Sequence, residues 1–267
     1  MAQNLPQFSI ITISFNSSAT IERTIKSVLA QTFTDYEYIF VDGGSKDSTL
    51  DIVKKYEPLF EGRMKWKSEP DKGIYDAMNK GIKRSSGIII GIVNSDDWLE
   101  ADALENVYNA FVENGKNLDT IYTGGIKFHS DSGIIVLNPN LDKFRKSERK
   151  FAMAGIRHPA TFIPKHVYDT NGIYDDRMKI LADTDLLVRV SKAGCKFIAI
   201  DTPLSNMADG GISNQLTWKT AKISFNDKKI MLSKYKMHVF DRYYLLLLTA
   251  AIIVCKRTIY RLINRHK

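Results

Sequence analysis

Two neighbouring carboxylates, Asp96 and Asp97, close the apolar run that starts at Ile88. Adjacent carboxylates repel unless something positive joins them, and a hard divalent cation such as Mg²⁺ or Mn²⁺ is the usual partner. The same pair can also cap a helix, because Leu104, Val107, Tyr108 and Phe111 follow at helical spacing. A third carboxylate, Asp183, precedes the helical stripe Leu186, Leu187 and Val190, which leaves it at or just before the first turn and pointing out of the core. There it can act as a proton acceptor or as a bare N-cap. Asp185 lies one turn from Arg189, so an i,i+4 ion pair makes it structural. Asp42 ends a strand on the Gly43-Gly44 turn, where α/β folds place an acidic residue against a base or ribose and where a turn aspartate also bonds its own backbone. Lys72, beside Gly73, can reach a phosphate or base, or stay solvated.

The elements that must position these residues follow from periodicity. Ile88 to Val93 is short, rich in β-branched residues and apolar throughout, as expected of a strand buried on both faces in a parallel sheet. Ligands of open α/β sheets bind beyond the carboxyl ends of such strands, which puts Asp96 and Asp97 at a crevice. Phe8 to Ile13 is a strand leading to a helix through Ile21, Ile25, Val28 and Leu29. Tyr36 to Val41 is a second strand, and Ser48 with Asp51 resembles a capping box for the next helix. Repeated βα units imply parallel strands with right-handed crossovers. Met64 to Ser68 is a third strand, and Ala77, Met78, Gly81 and Ile82 form a helix face under the sheet. Beyond Thr120 the pattern changes to short alternating segments, an antiparallel hairpin through Thr120–Gly124, Lys127–His129 and Ile134–Leu137. Residues 138–150 are polar and basic, and read as a lid, an acceptor-facing loop or simply a solvated surface. His158 before Pro159 is expected to be extended, entering another strand.

With 267 residues, 44% hydrophobic and 25% charged, the chain can bury a substantial core and is not of disordered composition. A net charge of +8 suits anionic partners, whether nucleic acid, phosphorylated substrates or an acidic membrane surface. Cys195 and Cys255 stand far apart in apolar settings, which fits a reducing compartment and provides no zinc spacing. Met1 to Gln7 carries no basic and apolar leader pattern, so a cytoplasmic location is expected. Tyr243 to Cys255 is apolar but shorter than the roughly 20 residues that span a bilayer. Beyond it Arg257, Arg261 and Arg265 line one helical face and Ile252, Cys255, Ile259 and Leu262 the other, the pattern of a helix lying in an acidic membrane interface; a docked helix or a dimer seam is the alternative.

Taken together, Ser9 to Asn16, the turn from Val41 to Thr49, the segment Glu69 to Gly81, Ser95-Asp96-Asp97 and Asp183 to Arg189 resemble the family 2 inverting glycosyltransferases, over residues 8 to 215. That resemblance implies a GT-A fold, an α/β Rossmann-like mixed sheet flanked by helices, with a nucleotide-sugar half at 1–98, an acceptor half at 99–215 and a helical amphipathic tail at 216–267. It implies Mn²⁺ or Mg²⁺ held by Asp96 and Asp97, and Asp183 as catalytic base. Ser14, Phe15, Asn16, Asp42, Lys72, Gly73 and Asp96 would line a nucleotide-sugar donor, a UDP-sugar by preference. His158 and Gly211, the latter within Asp209 to Ser213, look like the variant with lipid-linked acceptors. The expected partners are therefore the donor, a glycan or lipid-linked acceptor, and an acidic membrane surface on the inner face of the cell membrane, with no nucleic acid and with an oligomer permitted. Two departures stand out: Ala182 occupies a position where the family commonly has glutamate, and the carboxylate motif opens with Ser95. Rival functions are a sugar-nucleotide pyrophosphorylase, which would want a glycine-rich loop where Ser14 to Ala19 stand, and a membrane-bound scaffold with a degenerate nucleotide pocket. A glycoside hydrolase is excluded because adjacent carboxylates cannot straddle a glycosidic bond.

Overall fold

A computed structural model describes residues 5–208, 217–235, 238 and 240–247. Three βα units open the chain: β1 (Phe8–Ser14) and α1 (Ile21–Leu29), β2 (Tyr36–Asp42) and α2 (Thr49–Tyr56), β3 (Met64–Ser68) and α3 (Ile74–Arg84). They are followed by β4 (Ile89–Asn94), the short β5 (Trp98–Leu99) and α4 (Ala103–Glu113). The second half contains β6 (Thr120–Ser130), β7 (Gly133–Leu137), α5 (Leu141–Glu148), β8 (Thr161–Pro164), α6 (Lys165–Asn171), α7 (Ala182–Lys192), β9 (Lys196–Ala208) and α8 (Trp218–Ser233).

The nine strands form one mixed sheet in the order β3-β2-β1-β4-β8-β6-β9-β5, with β7 added to β6. β3, β2, β1 and β4 run parallel, as the βα repeats require. On its other side β4 meets β8 antiparallel, so the expected two-faced burial is present although only one flank is parallel. Helices cover both faces. α1, α2 and α4 pack on one through Ile25, Val53, Leu104 and Val107, and α3, α6, α7 and α8 on the other through Met78, Val167, Leu187 and Met231. α8 thus shares the core of the preceding domain, while the remainder of the expected tail, from 248 on, lies outside the described residues.

Several local expectations are corrected. Thr120–Gly124 and Lys127–His129 are one strand, β6, whose register on β9 shifts at Gly125. Backbones approach closely there, since a Cβ on Gly124 would fall 2.3 Å from the Leu204 side chain. The basic stretch 138–150 is largely helix, because Asn140 caps α5 by accepting from the Lys143 N–H and Phe144 is buried beneath it. Ser48 occupies the N-cap of α2 without a side-chain bond; Asp47 instead accepts from the Thr49 N–H and hydroxyl. His158 is not extended but opens a single 3₁₀ turn, His158–Ala160, with the extended conformation one residue earlier at Arg157.

The parallel half is tied at one point by Glu37. Buried on β2, its carboxylate accepts from Ser9 Oγ (2.7 Å), Ser86 N (2.6 Å), Ser86 Oγ (2.8 Å) and Lys65 Nζ (2.9 Å). Burial works against the charge, but Lys65, Ser9 and Ser86 outweigh it and hold the carboxyl at about 2. A depressed folded-state value stabilises the fold above the unfolded value near 4.5, and that stability is lost as pH falls toward 2. Glu37→Gln is expected to lower unfolding free energy at neutral pH by about 2 kcal/mol. The gap from wild type should narrow between pH 4.5 and 2 in urea titrations, and a pH-independent gap would refute the assignment.

Candidate functional site

The chain runs outward from β1 to β2 and β3 on one side and to β4 on the other, so the crevice opens where β1 and β4 separate. A cleft of about 1290 Å³ lies there, lined by Ser14, Phe15 and Asn16 after β1, by Asn94 to Asp97 after β4, and by Asp183 from α7. The three aspartates on which the sequence reading depended therefore face one cavity. Gly43, Gly73 and His158 also line it. A smaller cavity of about 490 Å³ beneath α5 contains none of the sequence candidates.

Asp96 and Asp97 are not helix caps. A tight turn, closed by the Asp97 N–H on the Asn94 carbonyl at 3.2 Å, leads into β5, and α4 begins only after Asp102. Thr24 Oγ pins this turn by donating to the carbonyls of Ser95 (3.0 Å) and Asp97 (2.6 Å), and Ser95 Oγ meets Ser17 Oγ at 2.8 Å. A neighbouring cation, Arg23, is diverted: it donates to the Asp96 carbonyl at 2.9 Å and its guanidinium stacks 3.5 Å from the Trp98 ring centre. Among the described residues neither carboxylate has an ion-pair partner, and no third histidine, cysteine or carboxylate joins them. Asp97 is 3% exposed. Burial and the neighbouring Asp96 charge push it up to about 7, against a 3.0 Å hydrogen bond from Asn94 Nδ2 and the charge of Arg23. Asn94 Oδ1 is buried without a partner. This donor set fits a hard divalent ion that takes its remaining ligands from a substrate.

Asp183 occupies the second position of α7. Its Oδ1 accepts from the Thr184 N–H at 2.7 Å and from Tyr75 Oη at 3.3 Å, and Tyr75 also donates to the Ile180 carbonyl at 2.7 Å. Burial raises the Asp183 pKa, opposed by His158 and these hydrogen bonds. His158 is itself lowered by burial, with Asp183 pulling the other way, and its Nε2 lies 2.8 Å from Tyr174 Oη. The other acidic residue of the cleft wall, Asp71, is in a salt bridge with Lys80. Asp185 is fully buried, 3.6 Å from Arg189 Nε as expected, and closer still, 2.8 Å, to Lys234 Nζ.

Two candidates lie beside the cleft rather than on its wall. The Asp42 carboxylate is buried and organises the turn, accepting from Gly44 N (3.0 Å), Ser45 N (2.8 Å), Ser68 Oγ (2.6 Å) and the Ser45 hydroxyl. It presents Gly43 to the cleft, where an added Cβ would stand 2.9 Å from Asp71 Oδ2. Lys72 is exposed, and its carbonyl accepts from Lys179 Nζ at 3.0 Å. Gly211 lies outside the described residues. Sequence reasoning missed Tyr75, Lys179 and Arg23. Tyr75 lies inside the quoted Glu69–Gly81 segment, but nothing in its spacing distinguished it from a core aromatic; its partners come from residues more than a hundred positions away.

Comparison with known proteins agrees with this geometry. Residues 9–168 match the model of glycosyl transferase family 2. The chain belongs to this family. This family 2 glycosyltransferase is 32% identical over 188 residues to a PGL/p-HBAD biosynthesis glycosyltransferase of Mycobacterium bovis, covering 69% of each chain. It is 29% identical over 192 residues to the chondroitin synthase of Pasteurella multocida, covering 71% of this chain and 19% of that one. Among solved structures it is similar to S. aureus TarS 1-349 in complex with UDP-GlcNAc, with a TM-score of 0.66, 17% identity and coverage of 90% of this chain and 70% of that one. It is also similar to the mannosyltransferase PcManGT of Pyrobaculum calidifontis in complex with GDP-Man and Mn²⁺, with a TM-score of 0.62, 15% identity and coverage of 96% and 76%. The sheet and its helical layers are thus the GT-A fold that the family resemblance implied.

The buried charge at Asp97 has a measurable consequence for this glycosyltransferase. A folded-state pKa raised to about 7 from 3.8 makes the ion-free protein lose stability as pH rises through that window. Asp97→Asn is expected to raise the melting temperature at pH 8 by roughly 2–4 °C, equivalent to about 1 kcal/mol, and to have little effect at pH 4. A lower melting temperature for the variant at pH 8 would contradict an uncompensated carboxylate.

Proposed function

We propose that this glycosyltransferase is an inverting, metal-dependent enzyme that moves a hexosyl or N-acetylhexosaminyl group from a UDP-sugar to an acceptor hydroxyl on a lipid-linked or growing surface glycan. The observation that carries the reading is that Asp96, Asp97 and Asp183, none of which has a salt-bridge partner among the described residues, line the same cleft. Asp96 and Asp97 would hold Mn²⁺ or Mg²⁺, and a bound divalent ion supplies Lewis-acid neutralisation of the departing diphosphate. Phe15, 62% exposed at the donor end, offers a face to a base, Ser14 Oγ is buried without a partner, and Gly43 leaves room for close approach. Asn16 and Gly73 close the same end. In this reading the cleft is shared between a donor half, from Ser14 to Asp97, and an acceptor half, from Ile126 to Ala208.

Asp183 takes the proton of the acceptor hydroxyl as its oxygen bonds to the anomeric carbon, and the bond to the diphosphate breaks on the opposite face. Tyr75 and the Thr184 N–H orient the carboxylate for that role. Beyond Asp183 the wall turns apolar, with Ile126, Phe128, Leu137, Met153 and Met207. Ile126 pairs with Leu137, and Phe128 with Ile135 on one side and Met207 on the other, so one face of the β6–β7 ribbon continues this wall out to the exposed Ile135. An apolar strip leading out of the cleft suits an acceptor with a lipid moiety. In the helical stretch 240–247, Phe240, Tyr243, Tyr244 and Leu247 are exposed at i, i+3, i+4 and i+7 spacing, which favours the peripheral membrane location on the cytoplasmic side. Among the described residues no helix is long and apolar enough to cross a membrane.

Asp183→Asn should reduce transfer about 10²- to 10⁴-fold while nucleotide affinity, measured by calorimetry with Mn²⁺ present, holds. Because burial raises Asp183 and the base must be ionised, kcat/KM should fall with decreasing pH through a value above the ordinary carboxylate near 4. Near-wild-type transfer by the variant would remove the base, and no nucleotide binding by the wild type would favour the scaffold. Replacing Arg257, Arg261 and Arg265 together by glutamate should release the protein from phosphatidylglycerol vesicles in sedimentation; unchanged binding would defeat the membrane proposal.

A further inference from the structure

α8 follows every motif that the family resemblance used, yet one of its side chains grips the segment that carries the proposed base. Asp227 is 2% exposed, and a single oxygen, Oδ2, accepts from the backbone N–H groups of Lys179 (2.9 Å), Ile180 (2.7 Å) and Leu181 (3.1 Å). These residues lead directly into α7, whose N-cap, Leu181, has no polar side-chain atom to offer. A carboxylate from a helix nearly fifty residues away therefore stands where a capping residue would, at the end of α7 that favours negative charge.

The pinned segment connects both ends of the cleft. The Ile180 carbonyl holds Tyr75 Oη, which also meets Asp183, and Lys179 Nζ reaches the Lys72 carbonyl of the donor loop. α8 is in turn anchored independently of Asp227. Met231 and Leu232 are in the core, Lys228 Nζ donates to the carbonyls of Lys150 and Phe151, and Lys234 Nζ bridges Asp175 (2.7 Å) and Asp185 (2.8 Å). One carboxylate thus connects a fixed brace to a short stretch of backbone whose groups touch Asp183 through Tyr75 on one side and the Gly73 loop on the other.

We propose that Asp227 is a positioning residue of the transfer reaction: it sets the orientation of Asp183 by fixing the backbone of residues 179–181. The inference rests on Asp183 being the base. Its structural part does not, because the hold on residues 179–181 can be read without turnover.

The test compares full-length Asp227→Ala and Asp227→Asn with wild type by amide hydrogen exchange, by UDP affinity with Mn²⁺ in calorimetry, and by steady-state transfer. Asp227→Ala is expected to speed exchange at residues 179–181 about 100-fold, a local opening that leaves the strands of the sheet protected. It should lower kcat roughly 10- to 100-fold, as displacement of a catalytic group by a fraction of an ångström does, with UDP affinity unchanged. Asp227→Asn keeps an acceptor oxygen but loses the negative charge at the helix N-terminus, and should give exchange and kcat intermediate between the alanine variant and wild type. Should the alanine variant not fold, the asparagine variant decides: intermediate exchange and intermediate kcat support the assignment, and wild-type values of both overturn it. A kcat that survives loss of protection, or one that falls in step with UDP affinity, also overturns it. Failure of the wild type to transfer sugar would instead sink the proposed function, while unchanged exchange at 179–181 would sink the proposed hold by itself.

Discussion

Two like charges on consecutive residues, one of them almost completely buried, are the constraint around which this site is built. Nothing in the apolar body of β4 demands Asp96 and Asp97, and the burial of Asp97 opposes its ionisation. The surrounding structure fixes the backbone, and the described residues supply no ion-pair partner. Thr24 and Ser17 hold the turn, whereas Arg23, the cation near enough to compensate, binds a carbonyl and lies on Trp98. On the proposed function, a carboxylate pair held in this way would receive a cation that arrives with a substrate.

The rest of the fold distributes tasks around that pair. The parallel half brings the loops after β1, β2 and β4 to one edge, because strands that run parallel all end on the same side. The half containing β6, β8 and β9 turns the sheet antiparallel and supplies an apolar wall, and α7 reaches across with Asp183. Asp183 and Asp185 are two positions apart on one helix and have opposite surroundings. Asp185 is fully buried with Lys234 and Arg189 beside it, while Asp183 looks into the cleft with hydrogen bonds but, among the described residues, no salt bridge. The half-turn between them separates an ion pair that anchors α7 from a carboxylate free to exchange a proton.

Much of this was readable from local patterns. β1, β2, β3 and β4 and their helices appear where alternation and helical spacing put them, and the hairpin β6–β7 appears where glycine and polar turns interrupt β-branched residues. The failures share a cause. The stretch 138–150 looks like a loop because its helix buries only Phe144 fully, with Leu141 partly covered, and most of its other residues are charged. Ser48 and Asp51 have capping-box spacing, but Asp47 competes successfully for the Thr49 N–H. His158 lies in a 3₁₀ turn that the following proline permits and local preference does not dictate. In each case a neighbour outvoted a weak local rule.

By itself the chain determined its βα units, the strand that leads to Asp96 and Asp97, the place of Asp183 in the first turn of its helix and the structural part played by Asp185. Each of these follows from the period of apolar residues within a dozen positions, which the sequence displays directly. Tertiary structure alone decided that Asp96 and Asp97 cap no helix, that Arg23 is turned away from them, that Asp42 serves its own turn, and that Tyr75 and Asp227 hold the segment carrying Asp183. Those outcomes depend on which of several competing partners lies within about 3 Å once distant segments pack, a choice set by three-dimensional geometry rather than by spacing along the chain.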